Sequence, residues 1–88
     1  MFYYVYLLIS IKKLKTKSYV GYTNNLKNRI KLHNSGKGAK STKGRSWELI
    51  YSKRFKSKVE AMKEEYSLKK NRKKRKILIA KYLSTNQV

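Results

Sequence analysis

The chain has 88 residues, with 24 Lys and Arg, four Asp and Glu, one His, and neither Cys nor Pro. This length indicates one small domain, because domains typically need roughly 100–200 residues. The formal charge of +20 favours a polyanionic partner and argues against a generic neutral globule. The lack of Cys excludes disulfides and thiolate chemistry within this chain. With so few carboxylates, any metal would have few protein ligands and much water, which suits Mg²⁺.

The basic charge has an alternative origin in coding drift. Nineteen of the basic residues are Lys and five are Arg, and Asn, Ile and Tyr are plentiful, as in an A·T-rich genome. Drift alone would not remove the acidic residues, so the composition favours a functional basis. The sequence has no run near the ~20 apolar residues of a membrane span and no secretory leader pattern, so we expect a cytoplasmic protein.

A β-hairpin is predicted at the start of the chain. Residues 2–9 are aromatic and β-branched, as in a buried strand. Residues 11–18 are basic and predict a loop, and Tyr19–Gly21 predicts a second, short strand. The two strands would pair with each other in the antiparallel sense.

A helix and a long loop follow the hairpin. Thr23 or Asn24 suits a helix N-cap, and the apolar spacing predicts a helix over Leu26–Asn34 that ends at Ser35-Gly36. Residues 35–46 contain three glycines and four basic residues, so we expect a basic surface loop there.

The second half of the chain predicts a strand and two helices. Residues 47–55 alternate enough for a third strand. Ser57 suits an N-cap, with Glu60 three residues on as in a capping box, for a helix over Val59–Lys70. Asn71 would interrupt the helical pattern before a last basic helix.

That last helix, over residues 73–83, completes the order β-β-α-loop-β-α-α. We predict an α+β fold in which a small, three-stranded, mainly antiparallel sheet is flanked by helices. Residues 1–83 would form a single domain and residues 84–88 a short C-terminal tail.

A carboxylate stands among apolar residues of the helix predicted over Val59–Lys70. At about 100° per residue, Glu65 falls between Met62 and Ala61, within the apolar stripe. A carboxylate amid apolar neighbours costs free energy unless it is paired or holds a cation. Helix geometry leaves two interpretations open for Glu65. It forms a salt bridge to a lysine, for which Lys69 on the same helix face is a candidate, or it is a metal ligand.

Two further features suit a phosphate site. Arg29 and His33 are i, i+4 neighbours on the first helix, where a basic pair could clamp a phosphate; a solvated Arg and a His at the core edge would give the same spacing. A phenol near a cation can act as a general acid or base, although structural aromatics explain most of the tyrosines. Residues and spacing alone do not select a phosphodiesterase site over a nucleic-acid-binding module. Five tyrosines crowd the predicted hairpin: Tyr3, Tyr4, Tyr6, Tyr19 and Tyr22.

These residues resemble the motifs of the GIY-YIG nuclease superfamily, and most closely its small, stand-alone, UPF0213-like group. The first motif stands as Tyr4-Val5-Tyr6 and the second as Tyr19-Val20-Gly21, with twelve residues between Tyr6 and Tyr19. Arg29 lies where the family has an invariant Arg, and His33 where many members carry His. The stretch from Glu60 to Glu65 is similar to the family helix that ends in the metal-binding Glu.

The resemblance covers about residues 2–80, with departures at several positions. Tyr4 and Val5 replace the Gly and Ile of the first motif. Tyr22 stands where some excision-repair relatives carry Lys, and the downstream Asn of some restriction enzymes has no match.

The resemblance implies a DNA endonuclease that hydrolyses phosphodiester bonds with one Mg²⁺ or Mn²⁺. It implies that Glu65 holds the ion, that Tyr19 takes the proton of the attacking water, and that Tyr6 orients water or phosphate. Arg29 would stabilise the transition state, and His33 would hydrogen bond to Tyr6 or Tyr19. DNA repair or the processing of branched or single-stranded DNA is the expected setting.

Two basic segments are expected to grip the DNA backbone. They are the loop over residues 37–45 and the stretch over residues 69–76, although solvated surface charge would account for either. The candidate phosphate contacts are Lys37, Lys40, Lys43, Arg45, Lys69, Lys70, Arg72 and Lys73.

Two rival interpretations stay open. One is a catalytically inactive relative that grips DNA or RNA through its charge; the other is a ribosome- or RNA-associated basic protein. The first is disfavoured because drift would have removed one of Tyr6, Tyr19, Arg29 and Glu65. Binding to a membrane surface fits worst, and a monomer is the expected state.

Overall fold

The computed structural model describes residues 1–86, which form an α+β fold of three strands and three α-helices. No helix within these residues is long and apolar enough to cross a membrane. The predicted class and order of elements are confirmed. A short 3₁₀ turn at Lys40–Thr42 interrupts the loop before the third strand. The elements are β1 (Tyr3–Lys12), β2 (Lys15–Thr23), α1 (Leu26–Asn34), β3 (Glu48–Phe55), α2 (Lys58–Lys70) and α3 (Arg72–Asn86).

β1 is the central strand of the sheet. β2 and β3 each pair with it in the antiparallel sense, which gives the order β2-β1-β3. Tyr6 lies opposite Gly21 on one side and Ser52 on the other. β2 is therefore an edge strand, and it carries the residues of the second tyrosine motif.

An apolar cluster lies on each face of the sheet, which explains the continuous apolar sequence of β1. Successive residues of a strand point to opposite faces, so the neighbours Val5 and Tyr6 serve different clusters. On the face covered by α2 and α3, the buried residues are Val5, Leu7, Val20, Ala61 and Leu68. On the face covered by α1, they are Tyr6, Leu8 and Trp47.

The predicted loop over residues 11–18 is wrong for most of its length. β1 continues to Lys12 and β2 starts at Lys15, so the turn consists of Lys13 and Leu14, with φ of 51° and 66°. A two-residue turn with positive φ at both positions matches the right-handed twist of a hairpin. The basic sequence concealed these strand ends because they extend beyond the core and expose both faces to solvent.

The N-cap of α1 is Asn25, and the prediction of Thr23 or Asn24 is wrong. The Asn25 side chain accepts a hydrogen bond from the Asn28 amide at 3.1 Å. Thr23 instead ends β2, and its Oγ1 accepts from the Asn25 amide at 3.1 Å. The strand therefore runs further than expected, while the predicted bounds of α1 are confirmed.

The junctions around α2 and α3 follow the predicted caps. Ser57 accepts a hydrogen bond from a first-turn amide of α2 at 3.1 Å. Asn71 separates the two helices and accepts from a first-turn amide of α3 at 3.0 Å. Because α3 continues to Asn86, most of the tail predicted over residues 84–88 is helical; residues 87–88 lie outside the described range.

The buried face of α2 is narrower than its apolar sequence predicts. Ala61 and Leu68 are buried against the sheet. Glu65 lies at the margin of this face, with 18% of its side chain exposed. The apolar residues of α2 that are exposed instead are Val59, Met62 and Tyr66.

Candidate functional site

A cleft of about 440 Å³ opens beside β2. Four of the five predicted catalytic residues line it, namely Tyr6, Tyr19, Arg29 and Glu65. The fifth, His33, lies behind Tyr6 and is hydrogen bonded to its hydroxyl. The fold thus brings together side chains from β1, β2, α1 and α2 that are up to 59 positions apart in the chain.

The cleft joins the two faces of the sheet at its β2 edge. Tyr6, Tyr19 and Gly21 belong to the face covered by α1, where the Tyr6 and Tyr19 rings lie 6.3 Å apart. Arg29 approaches from α1, whereas Glu65 approaches from α2 on the opposite face. Only a site at the sheet edge can combine side chains from both layers.

Because Gly21 has no side chain, the Tyr6 side chain can occupy the space next to it. A Cβ at this position would lie 2.6 Å from Tyr6 Cζ and 3.1 Å from Tyr19 Cε2, and nearer still to the Tyr6 hydroxyl. Any larger residue would push the Tyr6 ring out of the cleft. Gly21 is therefore required for close approach of a side chain.

A chain of hydrogen bonds defines the protonation state of His33. The Tyr6 hydroxyl lies 2.8 Å from His33 Nε2, and His33 Nδ1 lies 2.9 Å from Thr42 Oγ1. The Thr42 hydroxyl donates its one proton to the Ala39 carbonyl at 3.0 Å, so it accepts from His33 Nδ1. The network therefore assigns the imidazole proton to Nδ1 and leaves Nε2 to accept from Tyr6.

Burial keeps both partners of this hydrogen bond neutral. Burial lowers the pKa of His33, and the positive charge of Arg29 lowers it further. Burial also raises the pKa of Tyr6 far above its ordinary value, with a further increase from Tyr19 that Arg29 partly opposes. At neutral pH the Tyr6 phenol keeps its proton, directs it to His33 and presents oxygen lone pairs to its surroundings.

Thr42 and Gly38 support His33, and the sequence reasoning missed both. Thr42 is fully buried, and its carbonyl accepts from Trp47 Nε1 at 2.8 Å. A Cβ at Gly38 would lie 2.7 Å from His33 Cγ, so glycine lets the loop cover the imidazole. The sequence feature that could have indicated this support is a loop with several glycines and a threonine directly after α1. Gly36, with φ of +81°, turns the chain back at the start of that loop.

Arg45, a predicted phosphate contact, is engaged inside the protein. Its Nε donates to Ser10 Oγ at 3.0 Å, and its Nη2 donates to the Ser10 and Lys15 carbonyls at 3.1 and 3.2 Å. These bonds tie the loop to the hairpin, which gives Arg45 a structural role. The other predicted contacts of the loop are exposed: Lys37, Lys40 and Lys43.

The second predicted basic segment spans the junction of α2 and α3. The Lys70 ammonium lies 4.3 Å from the centroid of the Tyr66 ring. Arg75 donates to carbonyls of the last turn of α2, one of them at 2.9 Å, so it caps that helix. The exposed candidates of this segment are Lys69, Lys70, Arg72 and Lys73.

The salt bridge predicted for Glu65 is confirmed, and the metal-ligand interpretation stays a prediction. Its Oε1 lies 3.3 Å from Lys69 Nζ, and its side chain also lines the cleft. Among residues 1–86, no group of three or more His, Asp or Glu could hold a metal ion. Mg²⁺ keeps several waters and binds through one or two carboxylates and substrate phosphates. A single carboxylate in a cleft of this size fits that coordination.

Residues 2–78 match the family profile of the GIY-YIG catalytic domain. The chain therefore belongs to the GIY-YIG family, a family of nucleases that generally use divalent metal ions. Of the residues that carried the resemblance in the sequence, five line the cleft: Tyr6, Tyr19, Gly21, Arg29 and Glu65.

Its relatives place the chain in the UPF0213 group of that family. It is 49% identical over 69 residues to a UPF0213 protein of Oceanobacillus iheyensis, covering 76% of each chain. It is 51% identical over 70 residues to the UPF0213 protein YazA of Bacillus subtilis, covering 77% of this chain and 71% of that protein. The solution NMR structure of a UPF0213 protein from Bacillus halodurans aligns with a TM-score of 0.51 at 43% identity, covering 91% of this chain and 84% of that one.

Proposed function

We propose that this protein is a metal-dependent DNA endonuclease that hydrolyses phosphodiester bonds in the cleft beside β2. The observation that carries the proposal is the convergence of Tyr6, Tyr19, Arg29 and Glu65 on one cleft, with Tyr6 held from behind by a buried His33. A purely structural cluster of aromatic residues would not need a cation and a carboxylate from opposite faces of the sheet.

Glu65 and Arg29 would bind the two charged components of the reaction. Glu65 would hold one Mg²⁺ or Mn²⁺ ion, which when bound supplies Lewis-acid polarisation of the scissile phosphate. The Arg29 guanidinium would bind non-bridging phosphate oxygens through its planar fork and stabilise the charge that develops in the transition state. Lys69 would orient the Glu65 carboxylate before the substrate arrives.

The two phenols would have different tasks because their surroundings differ. The Tyr6 proton is committed to His33 Nε2, so Tyr6 would orient the attacking water by accepting a hydrogen bond from it. Tyr19 lines the same cleft and is half-buried, with its ring centroid 4.8 Å from that of His33. As a phenolate, Tyr19 would take the proton of the water as it attacks phosphorus, while the P–O bond to the leaving sugar oxygen breaks and that oxygen takes a proton from solvent.

Exposed lysines of two segments would hold the DNA backbone. The loop after α1 and the junction of α2 and α3 carry most of the predicted contacts, and they belong to different layers of the fold. Such contacts make the affinity depend steeply on salt, with little reading of the base sequence. This supports a substrate chosen by DNA structure, as in DNA repair or the processing of branched or single-stranded DNA.

The decisive experiment is a cleavage panel of duplex, single-stranded and branched DNA with Mg²⁺, Mn²⁺ or EDTA. We expect metal-dependent cleavage that Glu65→Gln reduces by about 10²–10³-fold or more. Glu60→Gln is the matched control, since Glu60 is an exposed carboxylate on the same helix that does not line the cleft. DNA binding without cleavage of any substrate would contradict the proposal and favour an inactive basic binding module.

A further inference from the structure

The cleft extends beyond the residues that the proposed chemistry uses. Lys58, the first residue of α2, lines it together with Glu65. The side chain is exposed, and within residues 1–86 it makes no ion pair or side-chain hydrogen bond. An ammonium group in a cleft without a carboxylate partner is available to an anionic ligand.

The helix geometry places Lys58 at a defined distance from Glu65. The two residues are seven positions apart, so they lie within about 20° of each other around the axis of α2. At a rise of about 1.5 Å per residue, their Cα atoms are about 10 Å apart along that axis. For a duplex whose axis runs along α2, the phosphates of one strand advance about 3.4 Å per nucleotide, so this separation would span about three nucleotides.

The cleft holds two cationic side chains, Arg29 and Lys58, and one carboxylate, Glu65. The Glu65 carboxylate is paired with Lys69, which does not line the cleft. The polar side chains of Tyr22 and Asn24 line the same cleft. A strand that places its scissile phosphate near Arg29 and Glu65 would bring a second phosphate to Lys58.

We propose that Lys58 forms a second phosphate-binding subsite of the cleft, which takes a phosphate of the cleaved strand within about three nucleotides of the scissile bond. The subsite rests on the proposed nuclease function, because that function supplies the strand. It binds the phosphodiester through charge and so fixes the register of the strand relative to Glu65.

The subsite is tested by DNA binding in EDTA, in a Glu65→Gln background that removes cleavage from the measurement. Lys58→Ala should reduce the slope of log K against log salt by about 0.9 on duplex DNA, or about 0.7 on a single strand. Lys63→Ala is the matched control, since Lys63 is an exposed lysine of α2 about 140° around the helix from Lys58. Lys63→Ala should leave the slope unchanged, and Lys58→Arg should restore it.

The phosphate itself can be located with neutral methylphosphonate linkages placed one at a time beside the cleavage site. One position should weaken binding by wild-type protein about fivefold, the factor for about 1 kcal/mol from a unit-charge pair at 4 Å in water. The same linkage should have no further effect on Lys58→Ala, because the interaction is already lost.

Equal salt slopes for Lys58→Ala and Lys63→Ala, or full additivity of Lys58→Ala with every linkage, would overturn the subsite. Either result is independent of the nuclease proposal, which fails only if wild-type protein cleaves no DNA with any metal. Thermal unfolding of each variant checks that it is folded. Because the Lys58 side chain is exposed, its replacement should leave Tm unchanged.

Discussion

Thr42→Val is the substitution that most directly tests the hydrogen-bond chain behind Tyr6. Valine has the shape of threonine and lacks the hydroxyl, so the change removes hydrogen bonds with little change in packing. Thr42 is fully buried, and its Oγ1 accepts from His33 Nδ1 and from the Ala39 amide while donating to the Ala39 carbonyl. The variant leaves the Nδ1 proton of a fully buried imidazole without a partner.

The expected loss of stability follows from these bonds. A buried donor without a partner costs about 1–3 kcal/mol, and the lost bonds to Ala39 add about 1 kcal/mol. The sum of about 2–4 kcal/mol is a large part of the stability of a domain of this size. Since 1 kcal/mol shifts Tm by about 4–8 °C in a domain of 60–100 residues, Tm should fall by roughly 8–32 °C.

The variant should also change the chemistry of the cleft. Without Thr42, the imidazole proton is free to move to Nε2, from which His33 would donate to Tyr6. The Tyr6 proton would then turn toward the cleft, and the phenol would lose its alignment toward water. We expect cleavage to fall by about 10²-fold, in the range of a lost preorganised hydrogen bond.

Three measurements check this reasoning. Thermal unfolding gives Tm, ¹⁵N NMR of the imidazole reports which nitrogen of His33 carries the proton, and cleavage is assayed below the new Tm. Thr42→Ser keeps the hydroxyl and should retain the proton on Nδ1 and most of the activity. Wild-type Tm and an unchanged His33 tautomer in Thr42→Val would refute the chain of hydrogen bonds described above.

Three further predictions concern the residues around Tyr6. Gly21→Ala should destabilise the fold by about 1–3 kcal/mol, because the new Cβ overlaps the Tyr6 ring; an unchanged midpoint in urea would show that the ring moves freely. Arg29→Ala should lower kcat by about 10²–10³-fold, and Arg29→Lys should recover only part of it because lysine lacks the planar fork; full recovery would contradict bidentate binding. Since the pKa of His33 is below its ordinary 6.5, its neutral form contributes stability that is present above pH 6.5 and lost as pH falls through the folded-state value. Tm and cleavage should both fall on acidification, and His33→Gln should weaken that dependence of Tm; an identical Tm profile for this variant would assign the effect to other groups.

The basic composition of the loop between α1 and β3 indicates DNA contacts, but part of the loop forms hydrogen bonds within the protein. Its lysines are exposed and remain predicted DNA contacts, but Arg45 ties the loop to the hairpin and Thr42 holds His33. Gly38 allows the loop to lie on the imidazole. Substitutions in this loop are therefore expected to act on the cleft beside β2 even where they do not touch DNA.

The resemblance to the GIY-YIG family named four residues that line the cleft, Tyr6, Tyr19, Arg29 and Glu65. The sequence by itself determined the order of elements and the bounds of α1. The order and the bounds depend on local features: the apolar run of β1, the turn at Gly36 and the spacing of the two tyrosine motifs. Such features act within a few residues of the chain, where periodicity and backbone preference decide the conformation.

The tertiary structure alone decided which interpretation applies to each side chain. Arg45 and Lys58 look alike in sequence as exposed cations, yet one is bonded inside the protein and the other lines the cleft. On α2, the sheet covers Ala61 and Leu68 and leaves the apolar residues Val59, Met62 and Tyr66 exposed. The position of the His33 imidazole proton depends on a hydrogen bond to Thr42, nine positions away, and no periodic sequence pattern predicts this contact. Burial and hydrogen bonding depend on which distant segments meet, and that is fixed only when the whole chain has folded.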